Sequence, residues 1–181
     1  MKNLFKKDVA INAILYILSK RNGSCDMHTI NKILYFADQK HLSIYGRLIT
    51  GDTYIAMNYG AVPSCIYDMF KAVRGDSYFS NKVQDLKQLF EFTNKYTIRQ
   101  LKAADLDYLS ESDIECIDSV LDEVKGKNFA EITTMSHGIA WNSTQKDREM
   151  SIKDILREVG DTEEYVEYVS KKLKEDALIL A

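Results

Sequence analysis

Four polar side chains have the types and spacing that catalysis or metal binding requires. Asp38 and His41 are three residues apart in a predicted helix, so they share one helix face. Asp52 and His137 could join them in the folded chain, because a carboxylate and an imidazole together can ligate a metal or share a proton. These residues support one possible function, a small metal-dependent or nucleotide-handling enzyme.

A structural role is the stronger interpretation of the same residues. His41 continues an apolar helical stripe, where a histidine is more often a buried hydrogen-bond partner. His137 is expected to bond to nearby backbone while Trp141 covers a helix end. The sequence contains no Gly-x-Ser-x-Gly nucleophile elbow, and no cysteine has a histidine or cation placed to lower its pKa. We therefore predict no catalytic residue, no metal and no cofactor.

The stretch from Lys32 to Ser64 is predicted to contain a helix, a stop, a strand and the start of the next helix. Asp26 is the expected N-cap of this helix, the second in the chain, and Gly46 is its expected C-terminal stop. A strand is predicted over residues 53 to 59, after which Gly60 to Pro63 should break it and Ser64 should cap the next helix. His28 and Lys32, near the start of this second helix, are predicted to lie on the surface.

This stretch resembles the Panacea domain. The resemblance rests on Lys32-Ile33-Leu34-Tyr35-Phe36-Ala37-Asp38, His41-Leu42, Tyr45-Gly46-Arg47, Gly51-Asp52, Tyr59-Gly60 and Val62-Pro63-Ser64, followed by Ser136-His137 and Trp141. It covers about residues 9 to 145. Ala61 departs from the family pattern, which usually has proline there. Gly138 and Ala140 depart from it as well, because the family usually has an acidic residue and a proline in their places.

The resemblance implies an antitoxin of a bacterial or phage toxin-antitoxin system. Similar proteins neutralise a cognate toxin by direct binding, and some hand it to a ClpXP-type protease as adaptors. The residues expected to form the family's structural motif are Asp38, His41, Tyr45, Gly46, Asp52, Tyr59, Gly60, Pro63, His137 and Trp141. The implied function is a binding protein rather than an enzyme.

Composition and charge are those of one globular domain of 181 residues. We predict a Panacea-like core over about residues 9–145 and a helical extension over about 146–181. A net charge of −3 gives no overall reason to bind nucleic acid. The three cysteines lack metal-ligand spacing, and no apolar run is long enough for a membrane span. A cytoplasmic location is expected.

Hydrophobic periodicity predicts an α+β fold that is mostly helical, with about seven helices and a small antiparallel sheet of about three short strands. The first helix should begin at an Asp8 cap and run to about Arg21. Two strands, over residues 86 to 92 and 96 to 101, should form a hairpin and join the earlier strand. Serine and aspartate at Ser110 and Asp113 predict a capped helix start, and Asp161 is the expected cap of the last helix.

One predicted helix is strongly acidic. From Asp105 to Glu123 there are eight carboxylates and no lysine or arginine. Its residues Glu111, Glu115, Asp118 and Asp122 are expected to share an exposed face, which could bind a basic toxin. At the end of the chain, Leu178 and Leu180 are expected either to pack on the core or to contribute to a degradation signal.

Overall fold

The computed structural model of the protein describes residues 4–76 and 84–179. Within these ranges there are nine helices, seven of them with at least seven residues, and two small antiparallel sheets. The helices are α1 (Lys7–Lys20), α2 (Met27–Tyr45), α3 (Ser64–Arg74), α4 (Gln84–Lys87), α5 (Glu111–Glu123), α6 (Phe129–Met135), α7 (Ile139–Asn142), α8 (Ile152–Glu158) and α9 (Glu163–Ile179). The strands are β1 (Ser24–Asp26), β2 (Tyr54–Met57), β3 (Gly60–Pro63), β4 (Phe90–Phe92) and β5 (Thr97–Gln100). The predicted α+β, mostly helical class is confirmed.

Helix α2 lies at the centre of the molecule. It is buried along most of its length, and α5, α6, α8 and β3 all pack against it. At its start the Asp26 carboxylate accepts a hydrogen bond from Thr29 N at 2.8 Å. At its end Gly46 adopts a φ of 65°, which glycine tolerates better than residues with a Cβ. Both predicted ends of this helix are confirmed.

The three-stranded sheet has the order β1-β5-β4. The predicted hairpin is confirmed as β4 and β5, with Phe92 opposite Ile98. Its first strand was predicted too long, because residues 84–87 form the short helix α4. We predicted that the strand after Gly51, which is β2, joins this sheet, and that prediction is wrong. Instead β1 pairs with β5, with Cys25 opposite Ile98.

Strands β2 and β3 form a separate hairpin. The prediction that Gly60 to Pro63 breaks the strand is wrong, because these residues are the second strand, and Gly60 has a φ of 93° just after the turn. The other side of β2 is also paired with backbone. Ala56 N donates to Arg148 O at 3.0 Å, and Met150 N donates to Tyr54 O at 2.8 Å. The hairpin is therefore extended by the segment that precedes α8.

Several helix starts differ from the local prediction. Asp8 lies inside the first turn of α1, and Lys6 occupies the N-cap without a side-chain bond. Asp161 accepts a hydrogen bond from Ser43 Oγ at 2.9 Å, and Thr162 Oγ1 accepts one from Tyr165 N. Ser110 caps α5 as predicted, with a capping box. At Asp161 a bond to a distant residue thus replaces the predicted local cap.

The last described residues of α9 do not pack on the core, although packing was one of the two predictions for the end of the chain. Leu178 is 76% exposed and Ile179 is 80% exposed, so the expected packing of Leu178 on the core is wrong. Leu180 lies outside the described residues. Among the residues that are described, no helix has both the length and the apolar character needed to cross a bilayer.

Candidate functional site

Asp38 organises the irregular segment between α2 and β2. Its carboxylate accepts hydrogen bonds from Ile49 N at 2.6 Å, Thr50 N at 3.2 Å, Thr50 Oγ1 at 2.7 Å and Tyr54 OH at 2.7 Å. Burial raises the pKa of Asp38, and these hydrogen bonds oppose the rise by stabilising the carboxylate. Asp38 therefore holds the loop against α2, and both of its oxygens are engaged.

Asp52 caps helix α3 from outside the helix. Its carboxylate accepts from Cys65 N and Ile66 N, both at 3.0 Å, while Pro63 occupies the N-cap position. The predicted Ser64 cap is therefore wrong: Ser64 is the first helical residue, and its N–H donates to Thr53 O. Burial raises the pKa of Asp52, and the backbone N–H donors lower it. A carboxylate at this position also interacts favourably with the helix dipole.

His41 joins the end of α2 to the start of α5. The ring is fully buried; its Nδ1 lies 2.9 Å from Arg47 O, and its Nε2 lies 3.0 Å from Ser112 Oγ and 3.1 Å from Asp113 Oδ1. Arg47 Nη2 lies 3.2 Å from the same carboxylate oxygen. Burial raises the pKa of Asp113, but hydrogen bonds from His41 and Ser110 outweigh it and hold the pKa well below its usual range. The Tyr45 ring covers His41 at 4.5 Å and is itself 43% exposed.

Lys32 occupies an interior position, so its predicted surface location is wrong. Its side chain is fully buried, and Nζ donates to Ala61 O at 2.6 Å. A Cβ on Gly60 would lie 1.9 Å from Ser136 Oγ and 2.9 Å from Lys32 Nζ, so only glycine fits here. Burial lowers the pKa of Lys32 to about 7. The hydrogen bond from the Lys32 amine to Ala61 O thus holds β3 against α2, and this position removes the amine from water.

Two histidines lie near this buried amine. His28 is half-buried rather than on the surface; its Nε2 lies 3.0 Å from Thr133 Oγ1, and desolvation, with a smaller effect of Lys32, lowers its pKa to about 4. The His137 ring stacks on Trp141 at 3.8 Å. The expected side-chain bond from His137 to backbone is not found, since its Nε2 has no hydrogen-bond partner among the described residues. Trp141 Nε1 instead donates to Met57 O at 2.9 Å and ties α7 to the hairpin.

Glu158 connects the C-terminal helices to the central helix. One oxygen accepts from Tyr35 OH at 3.2 Å and Gln39 Nε2 at 2.9 Å, and the other accepts from Ala140 N at 2.8 Å. A Cβ on Gly138 would lie 2.3 Å from the Glu158 carboxylate carbon. The carboxylate of α8 therefore occupies the space that a side chain at position 138 would need.

The structure does not bring the four chemistry-bearing residues into one cluster. Asp38, His41, Asp52 and His137 each have a different set of neighbours, as described above. Across residues 4–76 and 84–179, no group of three His, Cys, Asp or Glu side chains is arranged to hold a metal ion. Sequence reasoning missed Lys32 and Glu158. Lys32 begins the run that carries the family resemblance, which was the available indication, whereas nothing local marks Glu158.

Comparison with known proteins identifies the family. A family model described as "Antitoxin SocA-like, Panacea domain" matches residues 30–142, which is more than half of the chain. The chain belongs to this family. The match begins in α2 and ends with α7, so it includes all ten residues of the expected Panacea motif. No curated protein and no solved structure shows significant similarity to the chain.

The acidic face predicted on α5 is partly exposed. Glu111, Glu115 and Asp122 are exposed, whereas Asp118 is half-buried and accepts from Tyr16 OH at 2.9 Å. Lys20 Nζ lies 3.2 Å from Asp118 as well. Three of the four carboxylates are thus accessible to a partner, and the fourth stabilises the contact between α1 and α5.

Proposed function

We propose that this Panacea-domain protein is an antitoxin that neutralises a cognate toxin by direct protein–protein binding. The observation that carries the proposal is the family match over residues 30–142. The interior contacts support a binding role over catalysis, because the carboxylates of Asp38 and Asp52 and both ring nitrogens of His41 are used to hold loops and helix ends. Delivery of the bound toxin to a ClpXP-type protease is a further part of the proposal, by resemblance to family members that act as adaptors.

The test uses the gene next to the one that encodes this chain. Induction of a small neighbouring open reading frame should arrest growth, co-expression of the antitoxin should restore it, and the two proteins should co-purify. A harmless neighbouring product, or rescue without co-purification, would contradict neutralisation by direct binding. A neighbouring metabolic operon would count against a toxin-antitoxin pair.

The acidic face of α5 is proposed as one contact surface for the toxin. Changing Glu111, Glu115 and Asp122 to lysine should weaken toxin binding and make the remaining binding less sensitive to salt, because the exposed carboxylates attract a basic surface. Asp118 is left unchanged since it bonds to Tyr16. The matched control reverses three exposed carboxylates elsewhere, Glu149, Glu164 and Glu175, for the same change in net charge. Equal neutralisation by both triple variants would exclude this face.

A further inference from the structure

A groove of 710 Å³ lies between the start of α2, the turn of the β2–β3 hairpin and the start of α6. Three aromatic side chains in its lining are unusually exposed: Tyr59 at 61%, Tyr96 at 59% and Phe129 at 50%. Apolar side chains exposed together in a concave site, with a few polar groups among them, are typical of binding sites. None of these three residues is needed for the contacts of Asp38, Asp52, His41 or Glu158.

The aromatic wall is held in place by contacts between its own rings. The Phe129 ring centroid lies 4.1 Å from that of His28 and 5.4 Å from that of Tyr59. His28 is in turn fixed by Thr133 Oγ1 at 3.0 Å. Rigid aromatic side chains lose little conformational entropy on binding, which is why interfaces favour them as anchors.

The groove also contains polar side chains, two of which, Asp26 and Asp147, can only accept hydrogen bonds when ionised. Asn31 lines it at 3% exposure, and its Oδ1 has no hydrogen-bond partner within residues 4–76 and 84–179. Two carboxylates, Asp26 and Asp147, line the groove against a single lysine, Lys146. His28 is uncharged near neutral pH, because its pKa is about 4. The lining residues thus carry two carboxylates and one ammonium group beside electron-rich rings, while the ammonium groups of Lys95 and Lys71 lie against the rings of Tyr96 and Tyr67.

We propose that the groove binds an arginine side chain presented by a segment of a partner protein. A guanidinium group has five N–H donors and a planar face, so it can donate to the exposed Asp147 carboxylate while it stacks on Tyr59 or Phe129. Lys95 Nζ lies 5.5 Å from the Tyr96 ring centroid, so that ring already has a cation partner and the guanidinium is expected at Tyr59 or Phe129. The two carboxylates disfavour a phosphate-bearing ligand such as a nucleotide. This inference rests on the proposed function, since it specifies how a toxin is recognised.

The first experiment measures binding of small probes by NMR titration of the full chain. The probes are acetyl-Leu-Arg-Leu-amide, the same peptide with citrulline or glutamate in place of arginine, and uridine monophosphate. Citrulline retains the shape of arginine but lacks its charge. The arginine peptide should shift the Met57 methyl and Asn31 side-chain amide resonances and bind at millimolar concentration, about fivefold more tightly than the citrulline peptide. Equal binding of the citrulline peptide, stronger binding of the nucleotide, or no shifts at about 10 mM peptide would refute the proposal.

Variants locate the binding within the groove. Tyr59→Ala and Asp147→Asn should each weaken binding of the arginine peptide by about threefold or more, because they remove a stacking surface and a charge. Tyr168→Ala is the matched control, since Tyr168 is 62% exposed on α9 and does not line the groove. Both groove residues are exposed, so the variants should unfold at the wild-type temperature. Wild-type affinity in Tyr59→Ala, or an equal loss in Tyr168→Ala, would place the binding elsewhere.

A cellular assay separates this inference from the function on which it rests. The Tyr59→Ala, Asp147→Asn double variant should lose neutralisation of the neighbouring toxin, while Tyr168→Ala should retain it. Full neutralisation by the double variant would refute the groove and leave the antitoxin function standing. Failure of the wild-type chain to bind the toxin would refute the antitoxin function itself.

Discussion

The buried amine of Lys32 predicts a specific dependence of stability on pH. In the folded chain its pKa is about 7, and in the unfolded chain it should have the ordinary lysine value of about 10.4. Between these values the unfolded chain binds more protons than the folded chain, so the free energy of unfolding rises with pH. Linkage gives a rise of about 2 kcal/mol from this one residue between pH 7 and pH 9.

Replacing Lys32 with methionine keeps an unbranched side chain that is one atom shorter and removes the titrating group. At pH 7 the variant loses a desolvation penalty of about 4 kcal/mol but also leaves Ala61 O without its donor, which costs about 1–3 kcal/mol. These opposing effects make the stability at one pH a poor test. The slope of the unfolding free energy against pH is decisive, because methionine does not titrate. Burial raises the pKa of Cys25 to about 11 and works in the opposite direction, so the difference between wild type and variant is the quantity to compare.

The assay is urea unfolding followed by circular dichroism at pH 7, 8 and 9 and constant ionic strength. The difference in unfolding free energy between wild type and Lys32→Met should change by about 2 kcal/mol across this range, in favour of wild type at higher pH. Lys125→Met, at an exposed lysine, should follow the wild-type slope. If Lys32→Met also keeps the wild-type slope, the amine is not desolvated in the way its contacts imply.

Four further predictions follow from the same contacts. Glu158→Ala should lower the free energy of unfolding in urea by about 2 kcal/mol, because three donors lose their acceptor, whereas Glu164→Ala at an exposed site should change it by less than about 0.5 kcal/mol. Gly138→Ala should cost about 1–3 kcal/mol, and its effect should not add to that of Glu158→Ala, since the new Cβ meets that carboxylate. Stability should fall as pH drops from about 6.5 to about 4, because unfolded His28 takes up a proton that the folded residue rejects, and His28→Phe should reduce this slope. Metal analysis of the purified chain should find no stoichiometric transition metal; a metal that is lost in the Asp38→Ala, His41→Ala variant would revive the enzyme hypothesis.

Features that depend on near neighbours could be predicted from the sequence. The Asp26 cap, the Gly46 stop and the Ser110 capping box each involve residues within one helical turn, so residue type and spacing were sufficient. The predictions of a surface Lys32 and of a Ser64 cap failed because the residues that decide them, Ala61 and Asp52, are far along the chain. Lys32 reaches Ala61, and Asp52 takes the place of the predicted Ser64 cap by bonding to the following two N–H groups. A polar residue with a distant partner has the same local pattern as a solvated one.

The family motif could be located from the sequence, but the surface that surrounds it could not. Tyr59 was noted for its position in the motif, yet its contact with Phe129 requires the hairpin and α6 to meet. The same holds for the carboxylate of Glu158, which approaches Gly138 from a helix beyond the matched residues. Such placements arise from tertiary packing, which no local pattern encodes.

The closed sides of the β2–β3 hairpin limit how this protein can recognise a partner. Ala56 and Tyr54 on one side bond to the segment before α8, and Ala61 O on the other side accepts from Lys32. Strand addition, in which an incoming chain is read through its main-chain groups, therefore has no free backbone to use at these positions. Recognition near the hairpin has to be made by side chains such as Tyr59, which can be exchanged one at a time without disturbing the backbone. Specificity for a new partner is thus open to single substitutions, and the same closure protects the hairpin from edge-to-edge aggregation.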